Sequence, residues 1–138
     1  MYGRTSDVVR ATDSVRTIMR WPVTTVAAGV SLTEVAETLA ADEVGALLVD
    51  ENGVLAGIVS ERDVVEHVAA GADLAHLTAA EVMSSDLITI EPHTTVLQAA
   101  SAMADAEVRH LPVLEHGEIA GMVSMRDLLA ALVGAHQP

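Results

Sequence analysis

An internal repeat is the feature that most constrains how this chain can fold. Shifting the sequence by 64 positions aligns Ser14–Asp63 with Thr78–Asp127 without a gap. The strongest match ends each copy, where Gly-Ile-Val-Ser-Glu-Arg-Asp at 57–63 falls on Gly-Met-Val-Ser-Met-Arg-Asp at 121–127. We therefore predict an N-terminal segment at 1–13, a first domain at 14–70, a linker at 71–77 and a second domain at 78–135.

Both copies carry the local signals of a β-α-β-β-α unit. Ser31 and Thr95 are each followed three residues later by Glu or Gln, which is the capping-box pattern of a helix start. The Asn52-Gly53 pair between two apolar runs favours a tight hairpin turn. The expected elements of the two copies are lead-in helices from Ser14 and Thr78, extended pieces at 23–26 and 87–90, helices ending near Asp42 and Ala106, apolar strands at 46–49 and 111–114, second hairpin strands, and final helices from Ser60 and Ser124.

The apolar composition fits thin layers of helix on sheet. Hydrophobic residues make up 51% of the chain, and they are Val, Ala, Leu, Ile and Met with no Phe. One copy cannot bury both faces of its sheet, whereas two related copies can bury their sheets against each other. We predict an α/β fold in which the two copies are related by a pseudo-twofold axis.

The charge distribution excludes several kinds of partner. The net charge is −13, and a surface this acidic repels phosphate backbones, which argues against nucleic-acid binding. All seven basic residues are arginines, and beyond position 20 only Arg62, Arg109 and Arg126 remain. There is no cysteine, the chain begins without the apolar core of a signal peptide, and no apolar run is long enough to cross a bilayer. These features predict a cytoplasmic protein without a membrane partner.

The repeated Gly-x-Val-Ser-x-Arg-Asp motif is the strongest candidate for binding chemistry. Each copy runs from a strand directly into a helix, whose first N–H groups and dipole favour an anion. Ser and Arg can bind phosphate oxygens, and an ionised Asp can accept from both hydroxyls of a ribose diol. The alternative is that Ser-x-x-Asp is only a capping box. The retention of Arg62 and Arg126 favours binding, since capping does not need an arginine.

The repeat and its motif resemble CBS domains over about residues 14–134. The resemblance implies a two-repeat Bateman module that binds AMP, ADP, ATP or a related adenosyl ligand in clefts shared by the repeats. It implies a non-catalytic regulator that has no resident cofactor, forms a homodimer and acts on a separate, unidentified protein. The helix at 127–133, rich in Ala, Leu and Val, offers a candidate surface for the dimer. The alternative is a structural or dimerisation module with vestigial clefts and no nucleotide binding.

The resemblance also assigns residues to two sites. One site is implied to contain Ser60, Arg62, Asp63, Met83, Ile88, Val108, Arg109 and His110. The other is implied to contain Ser124, Arg126, Asp127, Met19, Thr24, Val44, Gly45 and Ala46. In each, Asp would hold ribose, Ser and Arg would hold phosphate, and apolar residues would enclose adenine. Because a basic Arg-His pair stands where the other site has Gly-Ala, we expect the Asp63 site to bind phosphate more strongly.

Other chemistry has little support in the sequence. The chain has no P-loop, dinucleotide-binding glycine motif or nucleophile elbow, so we do not expect an enzyme. None of the six histidines forms a helical metal-ligand pair, and we expect no metal site. We interpret Trp21 as a local packing anchor rather than a stacking platform for a ligand.

Overall fold

The computed structural model describes residues 9–134, which form two compact units. We call Val23–Leu87 the continuous unit, and we call residues 9–22 together with 88–134 the split unit. The first eight residues of the predicted N-terminal segment, and Ala135 at the end of the predicted second domain, lie outside the described residues. The compact units differ from the sequence repeats because the lead-in of each repeat belongs to the unit that contains the strands of the other.

The continuous unit contains a three-stranded sheet with helices beside it. Its strands are β1 (Thr25–Ala27), β2 (Ala46–Glu51) and β3 (Val54–Ser60), in the order β1-β2-β3, with β1 parallel and β3 antiparallel to β2. Its helices are α1 (Leu32–Asp42), α2 (Glu61–Ala69) and α3 (Ala79–Val82), with a 3-10 turn at Leu74–His76. The predicted capping residue Ser31 accepts from the Glu34 N–H at 3.1 Å, so the start of α1 is confirmed.

The split unit repeats the helix, hairpin and following helix of this arrangement. It contains a 3-10 turn at Val15–Thr17, helix α4 (Val96–Ala106), the antiparallel strands β4 (His110–Glu115) and β5 (Glu118–Ser124), and helix α5 (Met125–Gly134). In both units the hairpin turn uses two successive positive-φ residues, Asn52-Gly53 and His116-Gly117, as the turn chemistry predicts. Both hairpins also carry a register shift at the same place, after Val49 and after Val113.

Two expected elements are shorter than predicted. The piece at 87–90 is no strand and pairs with β4 only through a parallel bridge between Ile90 and Val113. In the continuous unit, Ala28 extends the equivalent pairing by donating its N–H to the Asp50 carbonyl at 3.2 Å. Its counterpart Pro92 has no N–H to donate, which ends the pairing early. The lead-in after Ser14 is a three-residue 3-10 turn without a side-chain cap rather than a full helix.

Each unit has its own hydrophobic core beneath its sheet. The core of the continuous unit consists of Val26, Leu32, Val35, Leu39, Leu47, Val49, Val59 and Ala79. The core of the split unit consists of Val15, Ile90, Val96, Ala99, Met103, Leu111, Val113, Val123 and Leu128. Branched aliphatic side chains dominate both cores, as the composition predicts. Because β3 and β5 contribute buried residues to these cores, they fix the positions of the starts of α2 and α5, the helices that follow them.

Candidate functional site

The first motif forms a complete capping box at the start of α2. The Oδ2 atom of Asp63 accepts from the Ser60 N–H at 2.8 Å and from the Ser60 hydroxyl at 3.1 Å. In return, the Asp63 N–H donates to the Ser60 Oγ atom at 3.2 Å. These bonds use one oxygen of the Asp63 carboxylate, and the Oδ1 atom has no hydrogen bond to any residue between 9 and 134. The motif therefore caps the helix and still presents one free acceptor.

Most of the backbone donors at the start of α2 are already bonded. The capping box occupies the N–H groups of Ser60 and Asp63, and the Glu61 N–H donates to the Gly45 carbonyl at 2.9 Å. Only the N–H of Arg62 remains of the four that a helix start normally leaves open. The expectation of an open row of N–H groups is therefore wrong for three of the four donors. An anion at this helix start would meet one amide and the helix dipole.

The second motif repeats this arrangement at the start of α5. The Ser124 N–H donates to Asp127 Oδ2 at 3.1 Å, and the Asp127 N–H donates to Ser124 Oγ at 3.0 Å. The Met125 N–H donates to the Arg109 carbonyl at 2.8 Å, which leaves the N–H of Arg126. The backbones of the two motifs are thus equivalent, and the differences between them lie in the side chains.

The glycine that opens each motif admits a neighbouring segment of the same unit. A Cβ on Gly57 would lie 2.5 Å from the Met83 Sδ atom and 2.8 Å from the Ser84 carbonyl oxygen. A Cβ on Gly121 would lie 2.8 Å from the Met19 Sδ atom and 2.9 Å from the Arg20 carbonyl oxygen. The space left by each missing side chain is therefore filled by protein. This packing brings Met83 beside the first motif and Met19 beside the second, and their assignment to ligand sites stays a prediction.

The charged side chains around the two motifs are paired differently. Arg62 lies on the exposed surface of α2 and makes an ion pair with Glu66 at 3.3 Å, while the Asp63 carboxylate keeps its free oxygen. At the second motif the carboxylate is paired, because Arg20 Nε donates to Asp127 Oδ1 at 3.2 Å. Arg126 has no ion-pair partner within the described part of the chain. The first motif thus offers an acceptor and the second offers a guanidinium.

The remaining predicted residues lie at or just before the first residues of β1, β2 and β4, or in the piece at 87–90. Val44, Gly45 and Ala46 lead into β2 of the continuous unit, and the Thr24 hydroxyl donates to the Asp42 carboxylate at 2.7 Å in that unit. Ile88 belongs to the split unit, as do the residues that lead into β4: Val108, Arg109 and His110. Their grouping with the motif of the other unit stays a prediction.

Two residues at the motifs were not foreseen as site residues. Arg20 is 107 positions from Asp127, and nothing in the local sequence pairs the two. Glu66 could have been found, because Arg62 and Glu66 are four positions apart on a predicted helix. Comparing the two copies also gives a signal, since Ala130 stands where the first copy has Glu66, and Ser84 stands where the N-terminal lead-in has Arg20.

Residues 9–134 contain no group of three or more His, Asp or Glu side chains that could hold a metal ion. His136, one of the six histidines of the chain, lies outside the described residues. None of the described helices is both long and apolar enough to cross a bilayer.

Comparison with known proteins agrees with the repeat and its motif. The sequence model of the CBS domain matches residues 15–70 and 79–134, which together cover most of the chain. The chain belongs to the CBS domain family, and the predicted α/β fold with tandem CBS repeats is confirmed.

Its relatives include proteins of similar length and solved CBS pairs. The chain is 31% identical over 115 residues to the CBS domain-containing protein YhcV of Bacillus subtilis, covering 83% of this chain and 82% of that protein. The chain spans only 33% to 48% of three further curated relatives. A CBS domain protein of Pyrobaculum aerophilum, PAE2072, solved in complex with AMP, is 27% identical with a TM-score of 0.78, covering 88% of this chain and 98% of that one. The CBS domain pair of protein MJ0100, in complex with 5'-methylthioadenosine and S-adenosyl-L-methionine, is 25% identical with a TM-score of 0.81, covering 91% and 99%.

Proposed function

We propose that this chain is a non-catalytic regulatory module that binds an adenine nucleotide at the Ser60–Asp63 motif and acts on a separate protein. The observation that carries the proposal is the free Oδ1 atom of Asp63 beside the unbonded N–H of Arg62. A carboxylate oxygen accepts a ribose hydroxyl, and an amide at a helix N-terminus donates to a phosphate oxygen. Capping alone would not require either group to stay open.

Two solved relatives support adenosyl ligands as the chemical class. One carries AMP, and the other carries 5'-methylthioadenosine and S-adenosyl-L-methionine. These three ligands share adenine and a ribose diol but differ in charge at the 5' position. The shared part matches what Asp63 can accept, so we take the adenosyl group as the recognised part and AMP or ATP as the ligand of this chain. The remaining residues assigned by the family resemblance would complete the site.

The motif serines fit binding better than catalysis. The Ser60 hydroxyl donates to Asp63 and lies in the positive field at the start of α2. A nucleophilic serine needs a general base that removes its proton, and here the hydroxyl donates to a carboxylate oxygen that also accepts from the Ser60 N–H. We therefore propose a binding module without turnover of its ligand.

A thermal-shift panel tests the proposed ligand class. AMP, ADP, ATP, adenosine and S-adenosylmethionine are each added to the wild-type chain and to Asp63→Asn. Asn keeps one carbonyl oxygen for the capping bond and replaces the open oxygen with a donor. At about 100 times Kd, binding stabilises the wild type by about 2.7 kcal/mol, and we expect Asp63→Asn to lose most of the stabilisation.

Asp105→Asn is the matched control, because Asp105 is an exposed carboxylate on α4 that takes part in no described bond. It should keep the full thermal shift. If no adenosyl ligand raises the melting temperature of the wild type, the module is structural and its motifs only cap helices.

We further propose that two copies associate through α5. The exposed side chains Met125, Leu129 and Val133 follow one another at four-residue spacing and so form one stripe on this helix. The exposed residues of α5 include no acid, which matters because chains of net charge −13 repel each other elsewhere. A face of this kind can pair with itself about a twofold axis.

Sedimentation velocity tests this association. We expect a dimer for the wild type and a monomer for Leu129→Glu, which places a charge in the centre of the stripe. Leu97→Glu is the control, because Leu97 is an exposed leucine on α4 and should leave the dimer intact. A monomeric wild type would refute the association and leave the nucleotide proposal standing.

A further inference from the structure

The ion pair between Arg20 and Asp127 makes the two motifs unequal. Arg20 Nε lies 3.2 Å from Asp127 Oδ1, and the capping bond to Ser124 occupies Oδ2. Both oxygens of this carboxylate are therefore engaged, whereas Asp63 engages only one. The Asp127 side chain is 14% exposed and that of Arg20 is 56% exposed, so the arginine is the more solvent-exposed member of the pair.

Backbone hydrogen bonds hold Arg20 at this position. Its N–H donates to the Met122 carbonyl at 2.8 Å, and the Met122 N–H donates back at 3.2 Å. The preceding residue, Met19, packs against Gly121. Because Met122 lies five residues before Asp127, the pairing places the Arg20 Cα close to the start of α5. The contact between the two side chains thus follows from the fold of the split unit rather than from a chance meeting of surface groups.

The continuous unit contains the same backbone pairing without the arginine. Ser84 exchanges hydrogen bonds with Ile58 at 2.9 and 3.0 Å, as Arg20 does with Met122. Ser84 is the repeat counterpart of Arg20, but its side chain is too short to reach the Asp63 carboxylate and makes no bond to it. The two motifs thus form an internal comparison in which one residue determines whether the carboxylate is open.

We infer that Arg20 is a specificity-determining residue that closes the Asp127 carboxylate to a ribose diol. The inference rests on the proposed function, since it assigns a hydroxyl-binding role to the open Asp63 carboxylate. A ribose hydroxyl must compete with the Arg20 guanidinium for Asp127 Oδ1, which weakens the second motif relative to the first. The open Asp63 motif consequently fills first, and the second motif binds an adenosyl ligand more weakly until Arg20 is displaced.

Calorimetric titration of the second motif alone tests this assignment. Asp63→Asn removes ligand binding at the first motif. Arg20→Ser is then added, so that position 20 carries the same residue as its repeat counterpart Ser84. Adenosine and AMP are the two probes, because only AMP carries a phosphate that a guanidinium could bind. Removal of a solvent-facing ion pair should tighten adenosine binding about two- to fivefold.

The reciprocal exchange supplies the matched experiment. Ser84→Arg places a guanidinium at the same backbone position beside the first motif, in an Asp127→Asn background that leaves the first motif as the one measured. We expect adenosine binding to weaken by about the same factor. Both exchanged positions are exposed, and thermal melts of the unliganded variants verify that they fold.

The outcomes separate this inference from the proposed function. Tighter adenosine binding in Arg20→Ser together with weaker binding in Ser84→Arg supports the inference. Unchanged adenosine binding in Arg20→Ser, or weaker AMP binding alone, overturns it, because Arg20 would then be inert or a phosphate ligand. A wild-type chain that binds neither probe contradicts the proposed function itself, whereas loss of binding on Asp63→Asn with no effect of Arg20→Ser contradicts only the inference.

Discussion

The Sδ atom of Met83 lies 2.5 Å from the place where a Cβ on Gly57 would be. The carbonyl oxygen of Ser84 is 2.8 Å from the same point, and it belongs to the backbone that pairs with Ile58. Gly57→Ala must therefore push a backbone segment away from β3. We expect a loss of unfolding free energy of about 1–3 kcal/mol, the range typical of overpacking, measured by urea denaturation.

Gly29→Ala is the control for this substitution. No atom lies within 4 Å of a Cβ at Gly29, and its φ is not in the left-handed region. Its stability should match the wild type or rise slightly, since alanine restricts the unfolded chain. Equal stability of the two variants would mean that Met83 and Ser84, which follow α3, do not pack tightly against the first motif.

The Thr95 cap gives a second test of the helix starts. Its hydroxyl oxygen accepts from the Gln98 N–H at 3.1 Å, so Thr95→Ala leaves a donor of α4 without its partner. We expect a cost of about 1 kcal/mol in thermal or chemical denaturation. Ser14→Ala is the comparison, because Ser14 precedes the 3-10 turn without a side-chain capping bond and its removal should cost little.

Leu47 and Leu97 distinguish core from surface leucines. Leu47 is fully buried in the core of the continuous unit, and its replacement by alanine should destabilise the fold by about 2–5 kcal/mol. Leu97 is 59% exposed, and Leu97→Ala should remain within about 0.5 kcal/mol of the wild type. Denaturant midpoints of similar size for both variants would contradict the assigned core.

The Asp73–His76 pair predicts a pH effect that NMR can resolve. The hydrogen bond from His76, followed by that from the Ala75 N–H, lowers the pKa of the Asp73 carboxyl below its ordinary value of 3.8. A lowered folded-state pKa means that the pair stabilises the fold above the unfolded pKa and that this contribution is lost as pH falls through the folded pKa. In a carboxyl titration, His76→Ala should raise the pKa of Asp73, whereas His93→Ala should leave it unchanged. No change with His76→Ala would contradict the pairing.

The local elements of the fold were predictable because their signals are local. The starts of α1 and α4 follow from the capping-box patterns at Ser31 and Thr95, and both helices end where expected, at Asp42 and Ala106. The hairpin turns follow from turn chemistry. The shortened pairing at 87–90 could have been anticipated from Pro92, whose missing N–H interrupts the pattern shared by the two copies.

Long-range relationships were not predictable to the same degree. The exchange of lead-in segments between the units depends on backbone pairings such as Arg20 with Met122, which join positions about a hundred residues apart in the sequence. The ion pair between Arg20 and Asp127 follows from that backbone pairing, so two motifs that look alike in the sequence differ in their chemistry. The internal repeat was enough to locate the motif in the sequence. Which of its polar groups cap the helix and which stay unbonded could be read only from the hydrogen bonds in the structure.

A titration of the 15N-labelled chain with AMP, followed by amide NMR shifts, tests the central claim most directly. The Arg62 N–H at the start of α2 is open, whereas the N–H at the equivalent position of α4, that of Leu97, donates to the Ala11 carbonyl at 3.0 Å. Nucleotide binding at the first motif predicts a saturable shift of the Arg62 and Asp63 amides, with the Leu97 amide unchanged. An AMP titration that leaves the Arg62 and Asp63 amides unmoved at millimolar ligand would contradict the assignment of this motif as a nucleotide site.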